Sequence, residues 1–410
     1  MTSAPVTPAH PPARGDVAPG STSSLRGANQ RRVLAVLQAA AGAEALSQAA
    51  LARETGLAPA TVSNIVRDLA AAELVETTVG AGRRGTTVRI ARSAGLVAGI
   101  DIGHRHARVV VGDLTGEVLA HDRRPLGAAH PSEEGLDLVA AMLEGLVADL
   151  GRETDPGPLR SIGFGLPAPI ARTSDGREVV MESAILPGWV GLDARQAAQE
   201  RFATPVHVEN DANLGALAEH TRGAGVGHGT MAFVKVSSGI GSGLIIGGEP
   251  FRGSLGTAGE IGHLTLDEQG PMCRCGSRGC LEAYASVGSI ETLLAERLPE
   301  ATFDEVVAAA ADGNVVAARV FEDAGLHLGW GLAMLANLVN PSAIVVGGDL
   351  ARAGDLVLDW VRVGLRRHAL ASVAQDTVVC ASTLGDRASA IGALALAVRT
   401  VELIPAGGIG

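Results

Sequence analysis

Three of the chain's four cysteines and one histidine fall in a single stretch, residues 260–282, which reads EIGHLTLDEQGPMCRCGSRGCLE. Nine residues separate His263 from Cys273, one separates Cys273 from Cys275, and four separate Cys275 from Cys280. An imidazole nitrogen and three thiolates make the ligand set of a closed tetrahedral Zn²⁺ site. Four protein ligands leave no position for water, so such an ion is structural rather than catalytic. It would fix the path of the loop whatever the flanking chain does. Gly276 and Gly279 let the backbone turn tightly between ligands. Glu260 and Glu282 place a carboxylate on either side. The alternatives are three reduced, unligated thiols or a disulfide. Three close cysteines in one loop argue against the first. Nothing marks export to an oxidising compartment, which argues against the second.

A chain of 410 residues exceeds one ordinary core, so two or three domains are expected. Aromatics make up only 2%, so the cores must be aliphatic. Charge is divided along the chain. Up to Arg92 there are ten Arg against six Asp and Glu, net +4, whereas the whole chain carries −11. The N-terminal region can meet a polyanion that the acidic remainder would repel. Lys235 is the only lysine. No apolar run approaches the ~18 residues of a membrane span, and the N-terminus has no charged-then-apolar export pattern. A cytoplasmic protein with no membrane partner is expected.

Residues 1–24 hold five prolines among Ser, Thr and Ala and read as a disordered tail. Residues 25–92 read as one unit. Val33, Leu34 and Leu37 lie at helical spacing, Ser47 can cap a second helix to Thr55, and Gly56 and Leu57 make a short turn. Pro59 suits a first helical position, opening a third helix over 60–72. Helix, short Gly-containing turn, helix is the helix-turn-helix pattern. In the third helix Val62, Ile65, Val66 and Leu69 face inward. Thr61, Ser63, Asn64 and Arg67 are left for base edges and phosphates. Two strands then flank Arg83 and Arg84, a glycine-bounded pair at a hairpin tip able to reach phosphates or a narrow minor groove. A three-helix unit with a merely solvated polar face is the alternative. The charge division and the Arg-tipped hairpin favour DNA.

Beyond residue 93 the pattern becomes α/β. An apolar strand over 96–102 carries Asp101 and leads through a turn into strands at 107–111 and 117–120. An amphipathic helix follows over 136–150, then a buried strand over 159–166. A short strand from Val206 delivers Glu209, Asn210 and Asp211 to a helix over 212–220. A carboxylate beside an amide there can take paired sugar hydroxyls. An Asp there can also act as general base on a hydroxyl attacking ATP. A plain helix N-cap is the alternative. A second strand–turn–strand, 233–246, contains the glycine-rich run Ser237 to Gly243, a turn that suits phosphate or simply a tight hairpin. Helices over 303–310, 317–339, 356–368 and 388–400 and strands over 343–346 and 378–381 complete the chain. The two hairpins suggest a duplicated fold.

The segment Gly262, His263, Cys273, Cys275, Gly276, Gly279, Cys280, Glu282 resembles the signature of the ROK family, which groups bacterial sugar kinases with sugar-responsive repressors. Val206 to Asn213 is similar to that family's Glu-Asn-Asp-Ala-Asn block. Residues 237–243 are similar to its second phosphate turn, and the 25–92 unit resembles the winged-helix end of its repressors. The resemblance implies a winged helix-turn-helix over 25–92 and a two-lobed, actin-like sugar-kinase (ribonuclease H-like) body. Its first lobe would span 93–210, completed by a C-terminal helix over 386–402, and its second 211–385. It implies that Asn210, Asp211, Glu260, His263 and Glu282 bind sugar. It further implies a DNA-binding regulator, most often a repressor, with operator DNA and a sugar or sugar-phosphate effector as partners. Such a regulator is a homodimer or homotetramer. One departure bears on activity. The family's kinases read Asp-x-Gly-Gly-Thr at the first phosphate turn, whereas here His104, Arg105 and His106 follow Asp101 and Gly103. The expectation is therefore not an enzyme. An ATP-dependent sugar kinase using ATP–Mg²⁺, with Asp211 as base, is the alternative. A constitutive DNA binder with no sugar site is a third reading.

Overall fold

A computed structural model of the chain describes residues 22–40, 45–79, 85–128, 130–181, 185–405 and 408–409. The first three helices are α1 (Thr22–Ala39), α2 (Gln48–Thr55) and α3 (Pro59–Ala71). Helix α1 starts within the stretch that composition alone reads as tail. Ser47 caps α2 by accepting from the Ala50 amide at 3.1 Å. Gly56 ends it in the left-handed region at φ 67°, where a side chain would be strained. Pro59 occupies the first turn of α3, whose Val62, Ile65, Val66 and Leu69 are buried. A short strand β1 (Leu46–Ser47) and the hairpin β2 (Val75–Val79) and β3 (Thr86–Ile90) form one sheet in the order β1-β3-β2. This is a winged helix-turn-helix. The hairpin tip, residues 80–84, lies outside the described residues, and with it Arg83 and Arg84.

Two five-stranded sheets follow. The first contains β4 (Leu96–Ile102), β5 (His106–Asp113), β6 (Val118–Pro125), β7 (Leu159–Leu166) and, beyond the small β8 (Ile170–Arg172) and β9 (Glu178–Val180) hairpin, β10 (Val206–Asn210). Helices α4 (Ser132–Glu153) and α5 (Ala194–Arg201) are its crossovers, and α6 (Asp211–Arg222) leaves its end. The second contains β11 (Met231–Val236), β12 (Ile240–Ile246), β13 (Glu249–Phe251), β14 (Ala343–Gly347) and β15 (Val378–Ala381). Between them come α7 (Leu281–Ala285), α8 (Val287–Leu294), α9 (Phe303–Ala311), α10 (Val315–Val339), α11 (Asp355–His368) and α12 (Ala371–Asp376), and the chain closes with α13 (Ala388–Thr400).

The strand orders are β10-β7-β4-β5-β6 and β13-β12-β11-β14-β15. In each sheet the first strand in sequence is central. It pairs antiparallel with the second, which pairs antiparallel with the third; the fourth joins the first in parallel and the fifth joins the fourth. The two halves therefore repeat one topology, as the paired hairpins suggested.

Helices α13 and α6 lie between the sheets. A Cβ on Gly163 of β7 would overlap the Ala393 carbonyl of α13, and one on Gly392 of α13 would overlap the Leu214 carbonyl of α6. On the other side, α6 packs on β11 and β12. Glycine at these crossings brings backbone against backbone with no side chain between. The winged helix is joined to the same stack. Val33, Leu37, Val88 and Ile90 share one apolar cluster with Val97 and Val110 of the first sheet and with Ala390, Leu394 and Ala397 of α13.

Candidate functional site

The loop after the short helical turn Ile261–His263 folds back on itself. Leu266 N donates to the Gly279 carbonyl at 2.7 Å, and Cys273 N to the Ser277 carbonyl at 2.8 Å. Gly279 sits at φ 62° against the Asp267 backbone, where no Cβ fits. These turns bring the ligand atoms of His263, Cys273, Cys275 and Cys280 within 4.8 Å of one another. The Cys275 and Cys280 sulfurs are 3.7 Å apart, and the Cys273 sulfur lies 3.8 Å from His263 Nδ1. Tetrahedral Zn²⁺ with Zn–S of about 2.3 Å places sulfurs about 3.8 Å apart, so the cluster has the chemistry and the spacing for zinc. With Nδ1 turned to the sulfurs, His263 Nε2 is the ring nitrogen left for a ligand.

His263 lines a cavity of about 920 Å³ between the two sheets. Asn210, Asp211, Glu260 and Glu282 line it too, so all five residues that the resemblance marked for sugar border one space. The turn linking β4 to β5 and its counterpart linking β11 to β12 also reach it, through Gly103 to His106 and Ser237 to Gly241. The cavity is thus built at equivalent positions of the two repeats.

Several of the polar residues there have a second task. Asn210 is the N-cap of α6: its Oδ1 accepts from the amides of Ala212 and Asn213, at 2.9 and 3.2 Å, and its Nδ2 donates to the Ala168 carbonyl. The capping role therefore coexists with a place on the cavity wall. Glu282 accepts from Arg274 Nε at 2.7 Å and from the Ile240 amide at 3.0 Å. Glu209 is turned away, held by Asn213 and Arg252. Burial pushes the Glu260 carboxyl up to about 7, with Asp211 and Glu282 adding to it. A carboxyl in that state can either donate or accept a hydrogen bond to a hydroxyl.

Two cations have larger roles than the sequence suggested. Lys235 Nζ lies 2.7 Å from Asp211 Oδ2 and 3.3 Å from Ser389 Oγ of α13. Burial works against its charge, but Asp211 and Asp101 outweigh that and raise its pKa. Arg274, between two cluster cysteines, spans from Glu282 to the Ser238 carbonyl at 2.7 Å. A lone lysine in an apolar strand was the only sequence signal for the first. The second had none. Asp101 is fully buried, with His106 Nε2 at 3.4 Å from its Oδ2 and no partner on Oδ1 among the described residues.

On the winged helix, Ser63, Asn64 and Arg67 are exposed and Thr61 is half-buried. Arg67 donates to Asn64 Oδ1 at 3.0 Å. The four lie on α3 away from its buried stripe. Among the described residues no helix is long and apolar enough to cross a membrane.

Comparison with known proteins agrees with this layout. Residues 97–400 match the model of the ROK family, and residues 25–85 that of the MarR family. The chain is 29% identical to the xylose repressor of Bacillus subtilis (strain 168) over 351 residues, 85% of this chain and 89% of that protein. Among solved structures, a ROK family transcriptional regulator homologous to the E. coli MLC protein superposes with a TM-score of 0.77 at 25% identity, over 92% of this chain and 96% of that one. A ROK family glucokinase from Streptomyces griseus, in complex with glucose and AMPPNP, superposes at 0.64 with 30% identity, over 74% of this chain and all of that one.

Proposed function

The chain belongs to the ROK family, and from that premise we propose that it is a sugar-responsive transcriptional repressor. One observation carries the reading. The winged unit and the cavity between the lobes are joined by packed elements, because the core of the winged helix is completed by α13 and α13 lies between the two lobes. A shift of one lobe on the other moves α13, and with it the surface on which the winged helix rests. A sugar drives that shift only by the difference in its affinity for the two states.

On this reading Thr61, Ser63, Asn64 and Arg67 enter the major groove of an operator, and Arg83 and Arg84 hold flanking phosphates. Two such units in a dimer or tetramer read two half-sites. Asn210, Asp211, Glu260, His263 and Glu282 take the hydroxyls of the effector. Zn²⁺ held by His263, Cys273, Cys275 and Cys280 fixes the loop and orients the imidazole. Phosphoryl transfer is not included in the assignment. Lys235 already engages the carboxylate that would serve as base, and bulky side chains occupy the first phosphate turn. The kinase reading retains one point in its favour, the glycine-rich turn at 237–243. Sugar-dependent ATP consumption that vanishes in Asp211→Asn would establish it.

The decisive test is binding to DNA from the protein's own upstream region, titrated with a panel of sugars. Release by one sugar is expected; release by none would leave a constitutive binder. In that assay Glu282→Gln should keep operator affinity and weaken the sugar response at least about tenfold, since it removes a charged acceptor from the cleft. Replacing both Arg83 and Arg84 by Ala should lower the slope of log K against log salt by about two. An unchanged slope would remove the hairpin tip from the interface.

A further inference from the structure

Helix α6 begins on the cleft wall, with Asn210 as its cap and Asp211 as its first residue, and ends at Arg222. At about 1.5 Å per residue the two ends lie about 17 Å apart. The Arg222 guanidinium reaches across to the first sheet. Its Nη2 donates to the Thr115 carbonyl at 2.8 Å, and its Nη1 donates to the Gly116 carbonyl. Both acceptors belong to the turn between β5 and β6. That turn is braced from within. Asp113 Oδ1 accepts from Thr115 N at 2.8 Å, from Thr115 Oγ1 at 2.6 Å and from Glu117 N at 3.1 Å. Gly116 holds a left-handed φ of 78°, and a Cβ there would overlap Arg222 Nη2.

The winged helix grips the same turn from its other side. Gln38, in the last turn of α1, donates from Nε2 to the Leu114 carbonyl at 3.2 Å. The Leu114 side chain is fully buried in the apolar cluster that holds Val33 and Leu37 of α1 and Val62 and Leu69 of α3. Three consecutive carbonyls, 114 to 116, are thus divided between α1 and α6. Earlier on α1, the buried Gln30 exchanges two hydrogen bonds with the Ile409 backbone, at 2.9 and 3.0 Å, in the segment beyond α13. Helix α1 is therefore tied at one point to the segment that follows α13 and at another to the turn that α6 holds. Helices α6 and α13 meet backbone to backbone at Leu214 and Gly392. Leu214 lies about 4–5 Å along the axis from Asp211 and about 12 Å from Arg222. A tilt of α6 about that crossing moves the Arg222 end through the longer arm.

We infer that Arg222 and Gln38, joined through the 113–116 turn, are the link by which a ligand in the cleft resets α1 and with it the DNA-reading helix α3. This rests on the sugar-responsive reading, to which it adds the residues that carry the response. Neither is among the described residues that line the cavity, and neither belongs to the set assigned to DNA. The link transmits only as far as the ligand prefers one tilt of α6 over another.

The test measures operator affinity of the full chain with and without the sugar that releases the wild type. Arg222→Ala should leave the sugar affinity of the DNA-free protein close to wild type and cut the sugar's effect on operator affinity about threefold or more. Gln38→Ala should do the same. The double variant should lose no more than either alone, because both break one connection. Arg222→Lys should keep part of the effect. A merely structural loss lowers Tm and leaves the ratio of operator affinities with and without sugar unchanged. A second arm needs no sugar. Asp211→Asn breaks the ion pair with Lys235 at the cleft end of α6. Hydrogen exchange over α1 should respond to that substitution in the wild-type background and not in Arg222→Ala. If no sugar acts on the wild type, the sugar reading falls and this arm alone decides the link. A sugar effect undiminished in Arg222→Ala would overturn the inference. So would α1 exchange that ignores Asp211→Asn, or that responds to it equally with and without Arg222.

Discussion

On the proposed ligand set, Cys275→Ser should abolish zinc binding. The wild-type chain is expected to retain one ion per chain through dialysis against a weak chelator, and the variant close to none. Cys275 is the informative choice because it is exposed, whereas Cys280 is fully buried and Cys273 nearly so. Replacing either buried thiol would also disturb packing, so a loss of stability could not be assigned to the metal. Cys275 is exposed and borders the cavity, so on the proposed ligand set the substitution removes a ligand without opening a hole in the core. A hydroxyl is a poor substitute for a thiolate on Zn²⁺, and binding energy at such sites is largely folding energy. Destabilisation of at least about 3 kcal/mol is expected, seen as a fall of roughly 6–12 °C in Tm for the body. The sugar response should fail with it, because His263 and Glu282 sit at the two ends of the same loop. Operator binding should survive, since among the described residues the apolar core of the winged unit includes nothing from this loop. Full metal occupancy in the variant would refute the ligand set. Metal loss with an intact sugar response would separate the ion from the cleft.

Sequence reading succeeded where the signal is local. The cysteine loop is legible because four ligands so close in sequence can converge only by folding the loop on itself. The helix-turn-helix is legible because Ser47, Gly56 and Pro59 each have a backbone reason for their place. Contacts made by distant segments of the chain were not legible. Lys235, on β11, meets Asp211 at the start of α6, 24 positions away, and Ser389 of α13, 154 away. Nothing in a strand's composition announces such partners. Arg274 lies inside the best-read motif, yet its span to Ser238 depends on how the loop is laid over the second turn. The duplicated topology is visible in the pairing of the strands. Asn210 illustrates a different limit. In the sequence, capping and ligand binding are alternatives for this residue, but a strand-to-helix junction on a cavity wall uses one amide for the cap and still presents that residue to the cleft.

Gly392→Ala should be among the most damaging single changes in the chain, although alanine is the better helix former. In an exposed helix the same exchange stabilises by about 0.5–1 kcal/mol. Gly145 of α4 is such a site, exposed and with open space where a Cβ would stand, and Gly145→Ala is expected to raise stability by that amount. At Gly392 the added carbon would overlap the Leu214 carbonyl oxygen and carbon of α6. These are backbone atoms in a helix packed on the second sheet, so no side-chain rotation relieves the clash. Overpacking of an adaptable core costs about 1–3 kcal/mol. Here the only relief is to push the helices apart, and α13 cannot move away because Gly163 already brings it against β7. A cost above about 3 kcal/mol is therefore expected, measured as the difference in denaturant midpoints between Gly392→Ala and Gly145→Ala at equal m-value. Because Ala390, Leu394 and Ala397 of α13 also complete the core of the winged helix, operator affinity should fall together with sugar affinity. A Gly392→Ala protein as stable as wild type would mean that the lobes are not packed through α13 and α6. The path proposed between cleft and DNA would then have no physical carrier.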